Sequence, residues 1–296
     1  LYENGKWKSW TEKDGLPWKV ITGIAIDPKS GDVWLALFGG GVARFSGGRF
    51  ENFNQMNSGL VNDVAYGLTI LDDEKRTGLL HLPGEWGPWI NGGGWLTVGG
   101  TSVDVLLRDL ARTETVVRDC VAGRIIIDWQ CGHPFGFVNA IYAAEVHDCR
   151  PLWQDETRPV ERLRALLSSE GAYPPRMREA MAGKFLWEAG FSMDCGRKAA
   201  LRGDLHYAMG SVFRTVGAWT QLLYAVNGRY QMNEKGSLAT AASLPVAPQE
   251  LSARVEGIYL CLAQGRGEDA WQKLAILHAE IEGLVKERIR SRPDVR

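Results

Sequence analysis

The chain has 296 residues, 45% of them hydrophobic and 23% charged, with a formal net charge of -1 and an isoelectric point near 6.6. That is enough chain for one large domain or two ordinary ones, and the charge balance excludes a basic nucleic-acid coat and an acidic disordered tail. The composition is divided: nine of the 12 tryptophans and most of the 35 glycines precede residue 155, as expected of two unrelated pieces joined near residue 70.

The first residues, Leu1-Tyr2-Glu3-Asn4-Gly5-Lys6-Trp7, already read as strand and turn, without an initiator Met or a signal-peptide pattern, so the start is expected to be cut from something longer. A repeat follows. Gly5-Lys6-Trp7 returns as Gly48-Arg49-Phe50, Gly15-Leu16 as Gly59-Leu60, and Gly23-Ile24-Ala25-Ile26 as Gly67-Leu68-Thr69-Ile70. The offset of about 43 to 44 residues is the span of one four-stranded propeller blade. Between the copies, short alternating strands are punctuated by turn glycines.

Asp14-Gly15-Leu16-Pro17, Val33-Trp34-Leu35-Ala36 and Gly39-Gly40-Gly41-Val42-Ala43-Arg44-Phe45 resemble the propeller repeats of two-component-regulator sensor proteins. The resemblance covers residues 1–70 and implies an extracytoplasmic sensor or scaffold. Only about one and a half blades are present, and closed propellers need at least about four. Trp7, Trp10, Trp34, Phe45, Phe50 and Phe53 are therefore expected to pack within a blade.

After Ile70 the repeat gives way to Leu71-Asp72-Asp73-Glu74-Lys75-Arg76, a charged stretch without strand alternation. An ordinary linker would look like this, but so would a break between two coding fragments, and the latter is favoured because both sides stop mid-motif. Beyond a Gly- and Trp-rich loop (84–95), Trp95–Val98, a Gly99-Gly100 turn and Ser102–Leu107 predict a β-hairpin. Asp104 lies inside its second strand, where burial is costly unless the carboxylate is paired, hydrogen-bonded or bound to a metal. His133 stands in a loop shaped by Gly132, Pro134 and Gly136, either as an acceptor or phosphate contact or as a packing residue. Glu145 and His147 are expected on an edge strand, sharing one face. The five cysteines (120, 131, 149, 195 and 261) form no C-x-x-C pair and read as reduced and mostly buried.

From residue 160 onward the periodicity is helical. Pro174-Pro175 opens a helix with Met177, Met181, Phe185, Ala189 and Met193 at every fourth position; Gly203-Asp204 ends it and caps the next, which ends near Tyr230. Further helices are expected at 249–263 and 268–290, giving an antiparallel bundle. Glu188 lies four residues from Lys184, which suits a surface pair or a general base at a domain interface. Asn233-Glu234-Lys235-Gly236 falls between helices, as a solvated cap or as a loop from which Lys235 reaches a triphosphate.

Gly84–Trp95, Val103–Leu110, Gly132–Phe137, Cys149–Trp153 and Asn233–Gly236 together resemble nucleotidyltransferase-superfamily proteins with a C-terminal helical domain, kanamycin nucleotidyltransferase being a more distant member. The likeness spans about residues 71–290. It implies transfer of a nucleoside monophosphate from an NTP to a hydroxyl of a small molecule, with carboxylates holding Mg²⁺. It makes Asp104 the third metal-binding carboxylate, Glu188 a candidate base, and His133, Asn233 and Lys235 nucleotide or substrate contacts. The family's Gly-Ser turn and Asp-x-Asp pair are absent; Asp72-Asp73-Glu74 lacks the preceding turn. A single carboxylate cannot assemble two metals, so transfer activity is not expected.

The sequence thus predicts an α+β chain: a propeller-blade fragment (1–70), the C-terminal part of a nucleotidyltransferase-type mixed sheet (71–160), and an antiparallel helical bundle (161–296). The expected location is cytoplasmic for the second and third parts. No membrane or nucleic-acid partner is indicated, and self-association stays open. The alternatives are a propeller sensor fragment and a nucleotide-binding pseudoenzyme.

Overall fold

The computed structural model describes every residue except 1, 4, 5, 28, 29, 59, 61–69, 72–76, 79, 80, 82, 83, 91, 153, 155, 169–172 and 292–296. Residues 59 and 61–69 of the second repeat copy and the Asp72-Asp73-Glu74 run lie outside the described residues. The fold is mixed α+β, with small antiparallel sheets and eight helices among the described residues. Contacts divide it into two compact units, Leu1–Arg108 and Asp109–Arg296, so the division falls inside the segment 71–160.

In the first unit β1 (Tyr2–Glu3) pairs with β2 (Lys6–Trp7), and β3 (Ile21–Ile26), β4 (Val33–Leu37), β5 (Gly41–Ser46) and β6 (Arg49–Phe53) form a four-stranded antiparallel meander. Gly47 and Gly48, both at positive φ (57° and 83°), close the β5–β6 hairpin, the backbone that a tight two-residue turn demands. Leu16, Leu35, Leu37 and Ala43 make the core of this sheet, with Val33 and Phe50 against them. Trp34 stacks on Phe53 at 5.6 Å and Trp10 meets Phe45 edge-on at 4.7 Å. These are packing contacts, as the strand alternation predicts. Ile24 and Ile26 on β3 remain 61% and 64% exposed.

β7 (Ile70–Leu71) pairs with β8 (Thr77–Gly78), and β9 (Gly92–Val98) with β10 (Thr101–Leu107). The predicted Gly99-Gly100 turn joins the latter pair. All strand pairing among the described residues is antiparallel.

The second unit begins with α1 (Leu110–Val121), whose Arg112 amide donates to the Asp109 carboxylate at 2.7 Å, a helix N-cap. After β11 (Ile127–Asp128) and β12 (Phe137–Val138) comes α2 (Ala140–Asp148). The edge strand expected at Glu145 and His147 is therefore a helix, and the two side chains do not share a face. The run is rich in alanine, a strong helix former, and is buried nearly all round, which erases the amphipathic period that marks a helix in sequence.

α3 (Pro159–Ser168), α4 (Pro175–Arg202), α5 (Leu205–Val226), α6 (Ser237–Ala242), α7 (Leu251–Ala263) and α8 (Gly267–Arg290) follow. The four long helices match the predicted periodicity closely; α3 and α6 are additional shorter ones. Gly203, in the left-handed region at φ 78°, ends α4, and Asp204 caps α5 by accepting from the Tyr207 amide, so the two helices fold back on each other. α8 lies along both: the Trp271 indole donates to the Met193 carbonyl at 3.2 Å and Arg288 Nε to that of Val226 at 3.4 Å. No described helix is long and apolar enough to cross a membrane.

The Trp219 indole N–H donates to His278 Nδ1 at 3.1 Å, so that nitrogen must be unprotonated. Burial holds His278 below its ordinary value of 6.5, against the opposing pull of Glu282 and Asp194. Because the folded value is depressed, this contribution is complete above pH 6.5 and is lost as the pH falls through the lowered value. Urea unfolding is expected to show stability declining below pH 6.5, with His278→Gln, which keeps an acceptor but does not titrate, flattening the decline.

Candidate functional site

Residues 124–139 form a loop drawn shut by one buried side chain. Asn139 donates from Nδ2 to the Arg124 carbonyl at 2.9 Å and accepts the Ile126 amide on Oδ1 at 3.0 Å. Its own amide donates to the Ile126 carbonyl at 3.1 Å. The short β11–β12 ladder, Ile127 opposite Val138 and Asp128 opposite Phe137, extends this closure. Gly132 and Gly136, at φ 84° and 106°, then turn the loop tip.

The tip carries two ring side chains. Phe135 is buried: its ring lies 6.2 Å from that of Phe185 on α4 and rests on Gly217 of α5, where a Cβ would come within 2.5 Å of it. The Arg214 guanidinium is 5.8 Å from the same ring and pairs with the Glu188 carboxylate. Glu188 is thus buried and held by α5, rather than pairing with Lys184 along its own helix. His133, half-buried, sets its ring edge-on to Phe137 at 5.2 Å, and its Nδ1 lies 3.2 Å from Glu234 Oε1.

That contact joins two segments that are 101 residues apart and that the sequence singles out independently. In the second, Asn233 Oδ1 accepts the Lys235 amide at 2.6 Å, tightening the turn, while the Lys235 side chain is exposed. Four of the five predicted residues therefore belong to this loop system or the helices beneath it. Asp104 belongs to the first unit. It lies on β10 opposite Trp95, exposed rather than buried, and alternation puts Trp95, Ser102 and Thr97 on its face.

Several polar groups escape the sequence reading. Arg178 is buried in the first turn of α4: its Nη2 reaches the Tyr173 carbonyl at 3.3 Å, and its Nε has no partner. The Tyr173 ring lies tilted against that of Tyr230 at 4.6 Å; the Tyr230 hydroxyl is also unpartnered, and the Gln231 Oε1 beside it likewise. Burial pushes the Tyr173 and Tyr230 hydroxyls well above the ordinary tyrosine range. The signal for Arg178 is present in the sequence: it lies three and seven residues before Met181 and Phe185, on the buried stripe.

The expectation of mostly buried cysteines is corrected. Cys131, Cys149 and Cys195 are exposed, and only Cys120 and Cys261 are buried. The exposed three lie in loops or on outward helix positions, where an apolar residue type gives no periodic signal. Among the described residues no group of three or more His, Cys, Asp or Glu could hold a metal ion. Clefts elsewhere in the second unit, one of about 350 Å³ beside Arg254 and Lys273 and one of about 160 Å³ beside Gly203 and Gly267, are lined by none of the predicted residues.

No protein-family profile matches the chain, and neither a curated protein nor a solved structure matches it.

Gly217→Ala is expected to lift Phe135 off α5 and to cost about 1–3 kcal/mol, the usual penalty of overpacking, measurable by urea unfolding. Burial pushes the Cys120 thiol up to about 12, and only the thiolate attacks disulfide reagents. A native-state thiol titration should therefore give three fast-reacting groups, with Cys120 and Cys261 reacting only on unfolding.

Proposed function

We propose that the second unit descends from the C-terminal part of a nucleotidyltransferase-type protein and binds the phosphate end of a nucleoside triphosphate at the rim formed by His133, Asn233 and Lys235. In this reading the chain is a nucleotide-binding pseudoenzyme. The observation that supports it is the His133–Glu234 contact, which sets the Gly-His-Pro-Phe-Gly and Asn-Glu-Lys-Gly loops side by side. With the Glu234 carboxylate against His133, the exposed Lys235 ammonium is the charge the rim offers to an anion, and a flexible lysine serves as a point-charge phosphate contact. Glu188, held by Arg214 beneath Phe135, acts as a positioning residue for the loop rather than as a base.

The described residues do not fit the magnesium centre that such a reaction uses. Trp95, Ser102 and Thr97 share the face of Asp104, and none supplies a second carboxylate; two-metal chemistry needs several. On the described residues, transfer to an acceptor hydroxyl is assigned to the lineage rather than to this chain. For the first unit, the exposed Ile24 and Ile26 on β3 favour a propeller-blade origin, since a blade lacking a neighbour leaves an apolar face uncovered.

Calorimetry with ATP, with and without Mg²⁺, tests the nucleotide reading. Binding is expected in both conditions, weakened about two- to fivefold by Lys235→Ala, the scale of an exposed ion pair. Asp104→Ala is expected to leave the Mg²⁺-free affinity unchanged. Absence of ATP binding to the unmodified chain would sink the reading.

A further inference from the structure

α4 is apolar on two sides. One side, Met177, Met181, Phe185 and Ala189, is buried within the second unit. The other carries Trp187 and Phe191, 63% and 52% exposed. Their rings, one turn apart, stack on each other at a centroid distance of 5.0 Å and an angle of 8°. They form one flat aromatic plate facing water. Burying two such side chains together is worth about twice the gain from an isolated leucine, so the plate is a poor candidate for an incidental surface feature.

The flanks of the plate are self-complementary. Lys184 and Asp194 lie five residues before and five residues after residue 189, the midpoint between Trp187 and Phe191. Neither side chain has an ion-pair partner within 4 Å among the described residues; Asp194 acts as a charge on His278. At Gly183 and Gly190, which lie along the same stripe, no atom comes within 4 Å of where a Cβ would stand. Helix axes approach most closely where the contact residues are small.

We propose that two copies of this chain associate through this stripe of α4, the helices crossing antiparallel about residue 189. Each Trp187 then covers the Phe191 of the other copy, and each Lys184 meets the other copy's Asp194. A two-fold interface demands this reciprocity, because the same patch must be its own complement. The aromatic plates supply the apolar centre and the two ion pairs the polar rim that such interfaces share. The charges also set direction: a parallel crossing would place Lys184 against Lys184 and Asp194 against Asp194, which is repulsive. This association is independent of nucleotide binding, since Lys235 and His133 take no part in it.

Sedimentation velocity over a concentration series tests the proposal, with far-UV circular dichroism and cooperative unfolding confirming that each variant is folded. The unmodified chain is expected to be a dimer at about 100 µM, well above a micromolar Kd. Trp187→Ser combined with Phe191→Ser should give a monomer. Lys184→Asp should weaken the dimer at least about tenfold by setting carboxylate against carboxylate. Adding Asp194→Lys to it should restore the dimer by exchanging the two charges. A monomer at all concentrations overturns the proposal, as does a dimer that persists in the folded Trp187→Ser, Phe191→Ser variant. Failure of the charge exchange to restore association overturns the antiparallel register.

Discussion

The arrangement of the second unit depends on the buried amide of Asn139. A buried side-chain amide must place its donors and acceptor or lose the cost of desolvating them. Asn139 does so by bonding the Arg124 carbonyl and the Ile126 amide, on the far side of a loop of more than a dozen residues. The loop is thereby closed at its base, and its tip is positioned by contacts that include Phe135 on Gly217 and Phe185, and His133 on Glu234. An apolar residue of similar shape at 139 would leave the Ile126 amide and Arg124 carbonyl without these bonds, and the tip would lose its fixed base.

Beneath the loop, α4 and α5 combine an apolar seam with a few inserted charges. Arg214, itself partly in solvent, neutralises the buried Glu188 across the seam, where the carboxylate alone would be an uncompensated ion. Their position under Phe135 makes the pair part of what sets the loop's height. Arg178 differs. It is buried with a single long hydrogen bond and the face of Tyr173, 5.8 Å away, to offset its desolvation. A cation–π contact returns only part of that cost. The same end of the unit holds the unpartnered Tyr230 hydroxyl and Gln231 carbonyl, so the polar groups least well satisfied gather next to the Asn233–Lys235 turn.

The first unit is built on different physics. Its meander gains its core from one face of β4 and β5, and its aromatic pairs lie across strands. A four-stranded sheet of this kind has a second face and two edges to protect. The exposed isoleucines of β3 show that one of these surfaces is left uncovered. The excess of glycine and tryptophan in this half serves two local ends: tight turns such as Gly47-Gly48, and ring packing between neighbouring strands.

What the sequence by itself determined was the local and the periodic. The long helices α4, α5, α7 and α8, the Gly203-Asp204 turn between the first two, the β9–β10 hairpin and the β4–β6 meander follow from spacing, caps and turn residues, whose energetics act over a few positions. The loops around His133 and Lys235 were also legible, through their glycines and charges. Tertiary structure alone decided the rest. It made α2 a helix because burial on all sides removed the amphipathic signal. It paired Glu188 with Arg214 across two helices instead of with Lys184 along one, and it left Asp104 in water. It also brought His133 to Glu234. Each of these outcomes turns on which groups are desolvated together, and desolvation is settled by the whole fold rather than by neighbours in the chain.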